Sequence, residues 1–159
     1  LRSSLNASPS WCGLAFDALV RPHHLAALSQ VADAHPGLRI ILDHAGKPDI
    51  AGGGFAPWAT GIAELARRPN VACKVSGLLT EAGERTGDAD LAPYVDHLLE
   101  TFGPDRLLWG SDWPVLGLAG DYPGWSAQAR RLLDGLSAAE RESIFRANAI
   151  RAYRLSPRA

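Results

Sequence analysis

Short apolar runs alternate along this chain with longer stretches in which apolar residues recur every three or four positions. The runs are Gly13 to Val20, Arg39 to His44, Val71 to Val75 and Arg106 to Gly110. Each is brief and largely apolar on both faces, the pattern of a strand buried in a parallel sheet. After the first run, Arg21-Pro22 opens a helix carrying Leu25, Leu28, Val31 and Ala32, and His35-Pro36-Gly37 ends it. Pro22 sits in the first turn, where its missing N–H costs nothing. Pro57 opens a second helix with Trp58, Ile62, Leu65 and Ala66, stopped by Pro69. A third places Leu91, Tyr94, Val95, Leu98 and Phe102 on one stripe and ends at Gly103-Pro104. Two more helices are predicted, from about Gly124 to Gly135 and from Ser137 to Tyr153, with Ser137 and Glu140 forming a capping box. Four strands, each followed by helix, predict α/β architecture with a parallel sheet. No linker or charge run divides the chain, so 1–159 reads as one domain.

Composition adds limits. The 159 residues are 47% hydrophobic and 21% charged, enough to build a core. A net charge of −1 gives no electrostatic case for nucleic acid or an anionic membrane as partner. The apolar runs fall well short of the ~18 residues of a membrane span, and no signal peptide opens the chain. Two cysteines, Cys12 and Cys73, make neither a disulfide framework nor a cysteine-based zinc cluster, so the cytoplasm is the expected compartment. There is no Met anywhere, position 1 included, which fits a fragment, a partial reading frame or an alternative start. Arg outnumbers Lys 14 to 2, which draws attention to Lys47 and Lys74.

In βα folds, ligands meet the carboxyl ends of the strands. The second run ends Asp43-His44-Ala-Gly-Lys47-Pro48. The third carries Lys74 and leads into Ser76-Gly77 and then Thr80-Glu81. The fourth ends Gly110-Ser111-Asp112-Trp113-Pro114. Asp112 by itself is more simply a helix cap or the partner of a loop Arg. With His44 on another strand end, chemistry becomes the better reading: a carboxylate takes a proton from water, and an imidazole polarises a carbonyl or joins a metal site. His23 and His24 read as solvated surface, and His35 and His97 as structural. Asp17 lies mid-strand with no assigned role, and Cys73 packs on the face opposite Lys74. Gly52-Gly-Gly54 lacks the Gly-Lys-Ser/Thr ending of a phosphate loop and reads as a flexible turn.

At these residues the chain resembles the amidohydrolase-related family, in the branch that holds sugar lactonases and 2-pyrone-4,6-dicarboxylate lactonase. The resemblance rests on Leu14-Ala-Phe-Asp-Ala-Leu-Val20, Leu42-Asp-His-Ala-Gly-Lys-Pro48, Cys73-Lys-Val-Ser-Gly-Leu78 with Thr80-Glu81, Phe102-Gly-Pro-Asp-Arg106, Gly110-Ser-Asp-Trp-Pro-Val115 and Asn148-Ala149. It covers about 13–155. It implies a (β/α)8 TIM barrel of which these strands are the fifth to eighth, the C-terminal half. It also implies that Asp112 activates water against a lactone carbonyl, that His44 assists, and that Lys47, Lys74, Ser76, Ser111 and Trp113 line the substrate pocket. Branches with and without a divalent metal such as zinc share these positions, so a metal stays open. The family's first-strand His-x-His is absent.

Half a barrel leaves two open edges and an apolar inner face. At ~25 cal/mol per Å² the burial missing there is comparable with a domain's net stability of ~5–15 kcal/mol. The isolated chain is therefore expected to be marginal, to aggregate, or to form a homodimer through its edges. Two other functions fit the same residues: a decarboxylase or hydratase on this scaffold, and a non-catalytic remnant or assembly subunit.

Overall fold

The computed structural model describes residues 13–156. The irregular opening and Cys12 lie outside them. Four strands form one parallel sheet in the order β1 (Ala15–Ala18), β2 (Arg39–Leu42), β3 (Val71–Val75) and β4 (Leu107–Trp109). The helices between and after them are α1 (Leu25–Ala34), α2 (Phe55–Ala66), α3 (Asp88–Phe102), α4 (Tyr122–Leu132), α5 (Ala138–Glu142) and α6 (Asn148–Tyr153). Among the described residues, no helix is long and apolar enough to cross a membrane.

Strand parity divides the sheet into two faces. Ala18, Ile40, Leu42, Val71, Cys73, Val75 and Leu107 turn towards the helices and bury against Leu25, Leu28, Trp58, Ile62, Leu65, Leu91, Val95 and Leu98. Two indoles in this layer also brace the loops that leave the strand ends. Trp58 Nε1 donates to Ala45 O at 2.7 Å, and Trp125 Nε1 donates to Gly110 O at 2.8 Å. A buried indole N–H needs such a partner, so packing the core also fixes these two loops.

The other face carries Asp17, Ile41, Ala72, Lys74 and Leu108, aligned by the strand register. It is not the open apolar surface expected from four bare strands. Ile41 and Leu108 are each only 2% exposed. With Arg151 and Ala152 of α6 they line a cavity of about 210 Å³. The chain closes part of this face with its own last helix. Asn148, at the start of α6, is anchored through Nδ2 to Pro104 O and Leu107 O at 2.7 and 2.6 Å.

Several boundaries differ from the sequence reading. β1 is not buried on both faces: Phe16 is 46% exposed because the strand is an edge. The helix expected from Pro22 begins as a 3-10 turn, Pro22–His24, and becomes α-helical at Leu25. The stretch from Gly77 to Asp90, which by its Gly, Glu, Thr and Asp content reads as a long polar loop, is partly buried. It carries buried Leu78, Leu79 and Ala82 and a 3-10 turn at Leu79–Glu81. The last predicted helix is broken by a π-helical segment, Ser143–Ala147, although its Ser137–Glu140 capping box forms.

Candidate active site

β2 stops at Leu42, and Asp43–Gly46 form a tight turn in which His44 and Ala45 both have φ of 52°. Lys47 follows at φ 51°. Beyond β4, Asp112 has φ of 61°. Left-handed backbone costs non-glycine residues of order 1–2 kcal/mol each, and such residues cluster where a site demands a particular side-chain direction. Here four of the five among the described residues gather on two rim loops of the same sheet, the fifth being Arg154 at the end of the chain's last helix. Between these, β3 runs into buried Ser76 and then Gly77 at φ 64°.

These three loops bring together side chains far apart in sequence. His44 Nδ1 lies 2.9 Å from Ser76 Oγ, and Nε2 lies 3.5 Å from Asp112 Oδ1. Thr80 Oγ1 lies 3.2 Å from Asp112 Oδ2 and 3.0 Å from Gly77 O. The Asp112 side chain is 8% exposed and that of His44 is 22% exposed, so both are held by protein yet reach the rim. An imidazole clamped at Nδ1 presents Nε2 in a fixed direction. A carboxylate with one oxygen hydrogen-bonded keeps the other free to take a proton from water.

The remaining residues expected at the pocket each have partners of their own. Lys47 is ion-paired with Glu81 on the neighbouring loop. Lys74 lies on the α6 side of the sheet, 2.6 Å from Asp43 Oδ1 and 3.3 Å from Asp17 Oδ1. Tyr153 of α6 donates its hydroxyl to the same Asp17. Ser111 Oγ accepts the Trp113 N–H at 3.3 Å, and the Trp113 side chain stands in solvent at 75% exposure. Around the rim these side chains thus form separate pairings, at His44–Asp112, at Lys47–Glu81 and at Lys74. The sequence reading gave no role to Thr80, Glu81, Asp43 or Tyr153. For Thr80 a signal existed: it follows Gly77 by three residues, the spacing that lets a hydroxyl bond back to a loop carbonyl. Tyr153 had none, since only tertiary folding brings α6 beneath β1. His97 is structural, as read: its Nε2 is 2.9 Å from Ala59 O.

Among the described residues, no three His, Cys, Asp or Glu side chains converge to hold a metal ion. His44 Nε2 and Asp112 Oδ1 offer two donors, one fewer than the three protein ligands of a catalytic zinc. This donor set does not by itself fit such a centre.

The Lys74 cluster has a pH signature. Burial works against the Lys74 charge, but Asp43 and Tyr153 together outweigh it and hold the ammonium above the usual lysine range. Burial and the bond to Asp17 push the Tyr153 phenol up to about 12, against the pull of Lys74. Both folded values exceed the unfolded ones. The contribution is therefore complete below the ordinary tyrosine value of about 10 and is lost as pH rises through the folded values. Tyr153→Phe is expected to cost about 1 kcal/mol at pH 9, with the gap narrowing by pH 11.5. Urea denaturation of both proteins at the two pH values checks this, and an unchanged gap would contradict it.

A family model described as amidohydrolase matches residues 12–155. An L-fucono-1,5-lactonase of Burkholderia ambifaria is 48% identical over 146 residues, covering 89% of this chain and 50% of its own length. A 2-pyrone-4,6-dicarboxylate hydrolase of Comamonas testosteroni is 32% identical over 93 residues, covering 53% of this chain and 30% of its own. Among solved structures, an amidohydrolase from Burkholderia multivorans with bound zinc superposes at a TM-score of 0.85 with 38% identity. That match covers 89% of this chain and 53% of the other. The chain thus spans about half the length of the curated relatives it matches most fully.

Proposed function

The chain belongs to the amidohydrolase family, and from that premise we propose that it carries the His44–Asp112 side of a lactone-hydrolysing site. Its four strands stand as the fifth to eighth of a (β/α)8 barrel. The observation that carries this reading is the pair itself: His44 Nε2 and Asp112 Oδ1 at 3.5 Å on one rim, each buttressed by a hydroxyl. Asp112 takes a proton from water as the oxygen attacks the lactone carbonyl carbon. With Ser76 donating to Nδ1, the proton sits on Nε2, 3.5 Å from Asp112 Oδ1, where it orients the carboxylate that takes the proton from water. Collapse of the tetrahedral intermediate breaks the ring C–O bond. The ring oxygen recovers the proton from Asp112, giving an open hydroxy acid. The free, buried Cys73 thiol is in keeping with a reducing cytoplasm.

The other half of the barrel docks on the edges at β1 and β4. Leu14, Phe16 and Leu19 are 71%, 46% and 62% exposed along the first of these. Without that half, a second copy takes the same edges. Size-exclusion of the isolated 17.0 kDa chain is expected to give a dimer. Co-expression with the part of the Burkholderia ambifaria lactonase that this chain does not match is expected to yield a complex that hydrolyses L-fucono-1,5-lactone. Neither part alone is expected to match it. A complex with no rate above buffer would overturn the reading.

A further inference from the structure

A cavity of about 500 Å³ is lined by Arg21, His23, Lys47, Asp49 and Glu81. It falls within the ~300–1,000 Å³ of small-molecule sites. None of His44, Ser76, Thr80 or Asp112 lines it, but two of its walls stand on the loops that carry them. His44 and Lys47 lie on one loop after β2, and Glu81 directly follows Thr80, which touches Asp112. A substrate whose carbonyl sits beside His44 and Asp112 has this cavity as a neighbouring place for its remaining groups.

The charge in the cavity is balanced. Arg21 and Lys47 are offset by Asp49 and Glu81, and Lys47 is already paired with Glu81, their side chains only 25% and 17% exposed. A dicarboxylate entering here would meet two carboxylates and would have to draw Lys47 away from its partner. Like charges brought together in this way are a strong means of rejecting a ligand. A neutral polyhydroxylated ring meets no such opposition. Each hydroxyl both donates and accepts, so one can donate to Glu81 while its neighbour accepts from Lys47 or Arg21. Sites built to bond hydroxyls discriminate steeply, because their polar groups are left unpaired by anything else.

We infer that the Lys47–Glu81 pair is a specificity device that selects a neutral, polyhydroxylated lactone over a dicarboxylate one, with Glu81 the deciding residue. This rests on the lactone-hydrolase reading and adds the substrate class. Lys47 then serves as half of a hydroxyl-binding pair and not as a free cation for a substrate carboxylate.

The test is direct binding by calorimetry to the co-expressed complex carrying Asp112→Asn, which blocks turnover. The probes are fresh L-fucono-1,5-lactone and 2-pyrone-4,6-dicarboxylate. The neutral lactone is expected to bind at least about tenfold more tightly. Glu81→Gln is expected to shrink that preference by about tenfold or reverse it. The charge-swapped double variant Lys47→Glu with Glu81→Lys restores a pair and is expected to restore the preference, which separates the pair's role from damage to the fold. Tighter binding of the dicarboxylate, a preference that Glu81→Gln leaves unmoved, or no binding of either probe would overturn the inference. Failure of the unsubstituted complex to hydrolyse lactone strikes the reaction assignment instead and leaves this binding result standing.

Discussion

Asp112→Asn is expected to lower kcat of the co-expressed complex for L-fucono-1,5-lactone by about 10³-fold, with KM changed little. The amide matches the carboxylate in shape, and its oxygen can still accept from Thr80, which lies 3.2 Å from Asp112 Oδ2. What it lacks is basicity. A general base contributes typically ~10²–10⁴-fold to such a step, and the group is engaged only as water loses its proton, so the loss belongs in kcat. Initial rates from acid release, with circular dichroism to confirm the fold, check the expectation. Full activity in the variant would remove Asp112 from the role of base. A loss confined to KM would make it a substrate contact instead.

The fold was legible where periodicity is strong. The α3 stripe of Leu91, Tyr94, Val95, Leu98 and Phe102 is buried throughout. All four strands lie within the predicted runs, because apolar stretches bounded by Gly, Pro and charge have few other uses. The convergence of His44 and Asp112 on one rim was also readable, since both follow strands of one parallel sheet. What each side chain meets was not. Parity sets Lys74 opposite Cys73, but nothing local shows that α6 covers its face or that Asp17 and Asp43 pair with it there. Lys47 reads as a pocket residue, and only the turn at Leu79–Glu81 brings Glu81 beside it. Neither pairing leaves a local trace, because the partners are 31 to 57 residues away or on different loops, and only the folded register brings them together.

Gly77→Ala is expected to displace His44 and to cost more stability than any other small change at the rim. Two effects combine at this position. Its φ of 64° lies in the left-handed region, where an added Cβ is strained whatever the space. That Cβ would also stand 2.6 Å from His44 Cβ and 2.7 Å from Cγ. Neither atom is the end of a flexible chain, and His44 is further fixed by its bond to Ser76 and by its own φ of 52°. The ring must therefore swing away from Ser76 and Asp112. A shift near 1 Å in a reacting group costs on the order of 10² in rate. The combined strain and overlap is expected to remove about 2–4 kcal/mol of unfolding free energy. Gly53→Ala supplies the comparison. Gly53 has φ of 72°, and its Cβ would come no nearer than 3.5 Å to the guanidinium end of Arg85, so that variant bears the backbone strain of about 1–2 kcal/mol with no overlap. Urea denaturation of the two proteins compares strain with and without the steric contact. If Gly77→Ala costs no more than Gly53→Ala, or keeps full hydrolysis in the complex, His44 is not pressed against Gly77 and the rim geometry assigned to it fails.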